Sequence, residues 1–121
     1  MSGTIRENIC LGEPDATDEE VFDVLHLAAA DFVNELPEGL DTLCGEKGAG
    51  LSEGQAQRIA IARSLLRKGG ILLLDEPTAS MDSATEETLL KRLSERLDGR
   101  TLILVTHRAA AATLCQHTLH L

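Results

Sequence analysis

The sequence contains no tryptophan and no tyrosine, and its only aromatics are Phe22 and Phe32. A core built from this chain must therefore be aliphatic, filled by Leu, Ile, Val and Ala, and hydrophobic residues at 43% of the total are enough to supply one. Cysteine is sparse and odd in number: Cys10, Cys44 and Cys115 stand far apart, and no CxxC pair occurs. That spacing gives no support to a zinc site or a disulfide framework, and it predicts reduced thiols in a cytoplasmic compartment. No apolar run approaches the roughly 20 residues of a membrane-spanning helix. No basic or apolar leader succeeds Met1. Positive charge is also scarce, with 11 Lys and Arg against 20 Asp and Glu, a net charge of −9 over 121 residues. A surface of that sign argues against free nucleic acid as a partner and disfavours adhesion to anionic lipid. It does not exclude a nucleotide, whose phosphates are held by local dipoles and a metal ion rather than by net charge.

Along the chain, short helices come first. Thr4 caps a helix over 5–9, and Gly12 and Pro14 punctuate the stretch after it. Thr17 and Glu20 form a capping box for a second helix, with Val21, Phe22, Leu25, Ala28 and Ala29 on one face. Asp31 starts a shorter helix that Pro37 ends, and residues 37–50 read as a glycine-rich loop. Leu51-Ser52 opens a helix to about Leu66, stopped by Lys68-Gly69-Gly70. The texture then changes. Ile71 to Leu74 is a short continuous apolar run closed by Asp75-Glu76-Pro77, the pattern of a buried parallel strand. A helix from about Asp82 carries Leu89, Leu90, Leu93 and Leu97 on one side, and Gly99 ends it. Thr101 to Val105 is a second buried strand, completing a strand-helix-strand unit that should cross over right-handed. An alanine-rich helix after His107 and a last strand over 117–121 are expected. The organisation predicted is α/β, with a helical part over about 1–67 and an alternating part over about 68–121.

Ligands of parallel sheets bind beyond the carboxyl ends of the strands. Asp75 and Glu76 stand at one such end, Thr106 and His107 at the next, so two carboxylates and an imidazole converge on one edge. A magnesium-nucleotide site requires that combination: one acid for the metal shell and a second to orient or deprotonate a water. A solvated acidic strand end is the plainer alternative, and a lone His107 is more often structural. Leu51-Ser52-Glu53-Gly54-Gln55 is the second informative segment. Ser52 with Gln55 reads as a capping box. Gly54 in the first turn costs up to about 1 kcal/mol against Ala, which a plain helix start would not favour and a phosphate-facing one would.

These segments together resemble the nucleotide-binding domain of ATP-binding-cassette (ABC) transporters. Residues 51–55 resemble the signature motif, and Gln57 to Arg63 the helix after it. Ile71 to Pro77 resembles the Walker B strand, Ser80-Met81-Asp82 the D-loop, and His107 the switch histidine. Residues 3–9, 36–42 and 45–48 resemble the exporter branch. The resemblance covers nearly the whole chain and implies a partial P-loop NTPase fold, with ATP and Mg²⁺ as cofactors. It implies that Asp75 holds Mg²⁺ through water, Glu76 polarises the hydrolytic water, and His107 contacts the γ-phosphate. Ser52, Gly54 and Gln55 would belong to the nucleotide-binding face, touching ATP held by the opposite subunit, and Asp82 would connect the two sites. The implied partners are a second nucleotide-binding domain, in a homo- or heterodimer, and the transmembrane domains, met through Glu46 and its loop. The implied location is the cytoplasmic side of a membrane.

Two departures matter. The nearest approach to a Walker A loop, G-x-x-x-x-G-K-[ST], runs from Gly45 to Ser52 with Leu51 in the lysine position. Leucine cannot neutralise phosphate charge. The adenine-stacking aromatic and the Q-loop glutamine are also absent, and in the family all three precede the matched segment. The expectation is that this chain alone binds ATP weakly or not at all, does not turn it over, and is marginally stable or self-associating through an uncovered sheet edge. The other departure is Glu53, where the family most often has glycine. Its charge either tunes the site or only favours the helix start. Two other functions stay open: a non-catalytic module that docks on a membrane domain or completes a partner's ATP site, and an ABC-type ATPase of DNA repair. The acidic charge and the lack of coiled coils weigh against the last.

Overall fold

In the computed structural model, residues 3–44, 51–67, 71–75, 82–96 and 101–105 are described, the two strand segments by their backbone only. The described elements run α1 (Ile5–Ile9), α2 (Asp18–Leu27), α3 (Glu53–Leu66), β1 (Ile71–Asp75), α4 (Ser83–Glu95) and β2 (Thr101–Val105). Short 3₁₀ turns lie at Cys10–Gly12, Asp31–Glu35 and Gly39–Asp41.

Each of the first three helices starts where its local sequence dictates. Thr4 with Glu7, Thr17 with Glu20 and Ser52 with Gln55 all form reciprocal capping boxes. In each, the cap hydroxyl accepts from the third helical amide, and the third side chain accepts from the cap amide, so two otherwise orphaned donors are satisfied. Helix α4 is capped by Asp82, whose carboxylate accepts from the Thr85 amide at 2.8 Å.

Helix α2 ends in a Schellman turn. The Ala30 amide donates to Leu25 O at 2.8 Å and the Ala29 amide to His26 O at 3.0 Å. The residue at the left-handed position is Ala29, with φ 56°, where glycine is usual. Its methyl is buried, as are Ala28 and Ala30.

The core is aliphatic. Ile5, Ile9, Val21, Val33, Ile59 and Leu89 are almost wholly enclosed. Both α1 and α2 lie against α3, so α3 buries more than one face: Ile59, Ile61, Ala62, Leu65 and Leu66 are all interior. Leu89 and Leu93 bring α4 to the same cluster. Phe22, expected on the inner face of α2, is instead 42% exposed. Val24 and Leu27 are buried on that helix along with Val21 and Leu25, because α2 meets neighbours on a face turned slightly from the one expected. The stretch 37–50 is not simply a loop in its described part. Gly39, at φ 53°, opens a 3₁₀ turn, and Leu43 forms an antiparallel bridge with Thr4. That bridge ties residue 43 back to the start of α1, where the Cys44 amide donates to Gly3 O at 2.7 Å.

Strands β1 and β2 pair in parallel, in register from Ile71 with Thr101 to Asp75 with Val105. This is the strand-helix-strand unit expected from the apolar runs. Among the described residues, no helix is long and apolar enough to cross a membrane. The helix and strand expected beyond His107 lie outside the described residues.

Candidate functional site

Two helix starts and one strand end carry the candidate residues. The parallel register places Asp75 at the carboxyl end of β1, level with Val105 at the carboxyl end of β2. Glu76 and His107 lie outside the described residues, as does Glu46.

At the start of α3 the plainer reading is realised: the Ser52 hydroxyl accepts from the Gln55 amide at 3.1 Å, and Gln55 Oε1 accepts from the Ser52 amide at 2.9 Å. The cap does not consume the chemistry a phosphate needs. A serine hydroxyl has one proton and two lone pairs, and capping uses only a lone pair. Among the described residues, neither the Ser52 hydroxyl nor the Gln55 side-chain N–H₂ donates to an acceptor. Among the described residues, nothing accepts from the amides of Glu53 and Gly54. Those groups sit at the positive end of a 14-residue helix. Gly54 is buried, whereas Glu53 is exposed in the first turn, clear of the buried face and favourably placed against the helix dipole.

Arg58, one turn further along α3, was not singled out by motif reasoning beyond its place in the helix. Its Nε donates to Gly54 O at 3.2 Å and its Nη1 to Ala29 O at 2.9 Å. The guanidinium carbon lies 5.0 Å from the centroid of the Phe32 ring, within cation–π range. Burial pulls the Arg58 pKa below its ordinary value, and the charges of Asp82 and Asp31 oppose that pull. A basic residue four positions after a buried first-turn glycine was the available signal.

Asp82 at the start of α4 is exposed. The Thr85 amide and then the Thr85 hydroxyl hold its carboxyl below the usual range, with a further contribution from Arg58. Asp82 and the signature-like helix therefore sense each other electrostatically. An open cleft of about 340 Å³ lies nearby, lined by Arg58 of α3, by Phe32 and Asp31 of the turn after α2, and by Thr85, Thr88 and Arg92 of α4. Cys10 and Cys44 are both free thiols, and burial pushes the pKa of each upward, which disfavours the reactive thiolate.

Comparison with known proteins agrees with this arrangement. The family model described as "ABC transporter" matches residues 2–79. Multidrug resistance protein 4 of Entamoeba histolytica is 52% identical over 109 residues, covering 87% of this chain and 8% of that protein. A multidrug resistance ABC transporter ATP-binding and permease protein of Lactococcus lactis is 50% identical over 110 residues, covering 89% of this chain and 19% of that protein. The solved structure of a bacterial Atm1-family ABC exporter with ATP bound superposes with a TM-score of 0.80 at 42% identity, over 89% of this chain and 19% of that one. The chain thus spans less than a fifth of these relatives. On the family match, the shared fold and the capped helix starts together, this chain belongs to the ABC transporter family and corresponds to part of its nucleotide-binding domain.

Proposed function

We propose that this chain supplies the signature and Walker B parts of an exporter's ATP-binding domain, acting with a second nucleotide-binding domain and with transmembrane domains. The observation that carries the reading is the start of α3, where the Ser52 hydroxyl, the Gln55 side-chain amide and the Glu53 and Gly54 backbone amides gather at one helix terminus with no acceptor for them among the described residues. That donor set fits a terminal phosphate. It fits ATP held by the opposite subunit, as the resemblance of residues 51–55 to the signature motif implies. Asp75, at the carboxyl end of β1, suits the outer coordination of a magnesium ion, which keeps several waters and takes one or two carboxylates together with phosphate oxygens. Mg²⁺ would neutralise charge on the phosphates. Glu76 would orient the attacking water, His107 would contact the γ-phosphate, and Asp82 would link the two sites. Glu46 and its loop would meet the transmembrane domains at the cytoplasmic face of the membrane. The division into a helical part over about 1–67 and an α/β part over about 68–121 belongs to the same reading.

A second reading, in which the chain is a non-catalytic module completing a partner's site, draws on the same donor set at the start of α3. One experiment addresses both. The chain is mixed with a complete nucleotide-binding domain of the Lactococcus lactis relative, and association is followed by analytical ultracentrifugation with and without MgATP. The expected result is association that requires MgATP, together with no calorimetric binding of millimolar MgATP by the chain alone. Association indifferent to nucleotide would overturn the phosphate-facing role of α3. Saturable binding by the chain alone, lost on replacing Asp75, would overturn the account of the absent Walker A loop. ATP turnover in the mixture, lost in Glu76→Gln, favours the catalytic reading over the module.

A further inference from the structure

The C-terminal turn of α2 receives arginines from two other helices. Arg58 of α3 donates to Ala29 O at 2.9 Å, and Arg92 of α4 donates through Nη1 to His26 O at 2.7 Å and to Asp31 Oδ1 at 3.0 Å. Arg96, just past α4, adds an ion pair to Asp23 of α2 at 3.0 Å. The acceptors His26 O and Ala29 O are carbonyls at the negative end of the α2 dipole, where cations are favoured. Both are held in place by the Schellman turn.

The two helices so gripped are the ones that begin at Ser52 and at Asp82. The open cleft of about 340 Å³ is lined by Arg58 of α3, by Asp31 and Phe32 of the turn after α2, and by Thr85 and Arg92 of α4. Away from that cleft the two helices share one core, Ile59 and Ala62 of α3 with Leu89 and Leu93 of α4; toward their starts the link is a polar one. It runs through the arginines into the α2 turn. Arg58 also binds Gly54 O in the first turn of α3, so its guanidinium ties the α2 turn directly to the segment carrying Ser52.

We propose that Arg58 and Arg92 are positioning residues: through the α2 C-terminal turn they fix the spacing between the helix starts at Ser52 and Asp82. Neither touches nucleotide in this scheme. The proposal rests on the proposed function, in which both starts face the nucleotide interface, but its physical content is a distance within one chain.

The test measures that distance directly. Genetically encoded spin labels at Glu53 and Ser83, both exposed, avoid the native cysteines. Pulsed electron–electron resonance on the full chain without nucleotide gives the distribution of separations. Arg92→Met is expected to shift or broaden the distribution beyond the wild-type width, and Arg58→Met to do so more. Arg92→Lys, which keeps the charge but only a single donor head, should fall between Met and wild type. Lys91→Met, which removes a neighbouring exposed charge, should leave the distribution unchanged. An unaltered distribution in an Arg92→Met chain of wild-type helical content overturns the proposal, as does an equal shift in Lys91→Met. If Arg58→Met loses its helical signal, the part-exposed Arg92 series decides alone. No nucleotide is present, so an intact distance response beside absent ATP-dependent association would refute the functional reading and leave the clasp standing.

Discussion

Ser52 carries two roles that substitution can separate. As a cap it accepts from the Gln55 amide; as a proposed phosphate ligand it donates a proton. Ser52→Ala removes both. Losing an N-cap serine costs about 1 kcal/mol, and with a urea m-value of about 2 kcal/mol/M the midpoint of the 121-residue chain should fall by roughly 0.5 M. Ser52→Asp behaves differently. Aspartate caps about as well as serine, and its charge gains roughly 0.3–1 kcal/mol against the helix dipole, so the midpoint should hold or rise slightly. The same carboxylate has no proton to give and repels a phosphate. At 4 Å, a unit-charge pair interacts by about 1 kcal/mol in water and about 4 kcal/mol near a protein surface. Association with a complete nucleotide-binding domain under MgATP should therefore weaken by roughly tenfold or more. Urea titration followed by far-UV circular dichroism reads the first effect, and sedimentation reads the second. If Ser52→Asp associates like the wild type while Ser52→Ala does not, the hydroxyl serves only the helix, and the phosphate argument at α3 fails.

Ala29 occupies a left-handed turn with a buried methyl. Ala29→Gly relieves about 1–2 kcal/mol of backbone cost but forfeits a buried methyl and gains unfolded-state entropy of comparable total size; its urea midpoint should stay near wild type, whereas Ala29→Val should fall clearly below it. Asp82 has a folded-state pKa below its ordinary value of 3.8. Its contribution to stability is complete above that value and disappears as pH falls through the depressed one. Asp82→Asn should therefore flatten the acid limb of a stability–pH curve below about pH 4, and an unchanged limb would deny the Asp82 carboxylate a role in capping α4. Glu53→Gly, in a transporter carrying this segment, should change ATPase activity little, since the Glu53 side chain is exposed in the first turn of α3; a large rise would show that its charge opposes the phosphate.

Sequence reasoning reached the elements whose cause is local. The capping boxes at Thr17 and Ser52 are written within four residues, and so were both strands, as apolar runs closed by polar residues. It placed Asp75 at a strand end and Ser52 and Asp82 at helix starts for the same reason. It missed what depends on partners distant in the chain. The exposure of Phe22 comes from how α2 leans on α3, and the bridge between Thr4 and Leu43 joins segments that no local pattern relates. Arg58 showed itself only when Ala29 and Phe32, nearly thirty positions earlier, were seen around its guanidinium. The left-handed Ala29 was hidden because alanine ordinarily signals helix rather than turn.

The grip of α4 on α2 is unequal in kind to that of α3. Arg58 holds carbonyls from a half-buried position, while the Arg92–Asp31 and Arg96–Asp23 pairs are each partly exposed. Attraction between exposed charges fades as added salt shortens the screening length from about 10 Å at 0.1 M to about 3 Å at 1 M. Ionic strength thus weakens the ion-pair part of the α4 grip while the bonds of Arg58 and Arg92 to carbonyls persist, and the separation of the two helix starts should loosen with salt on the α4 side first.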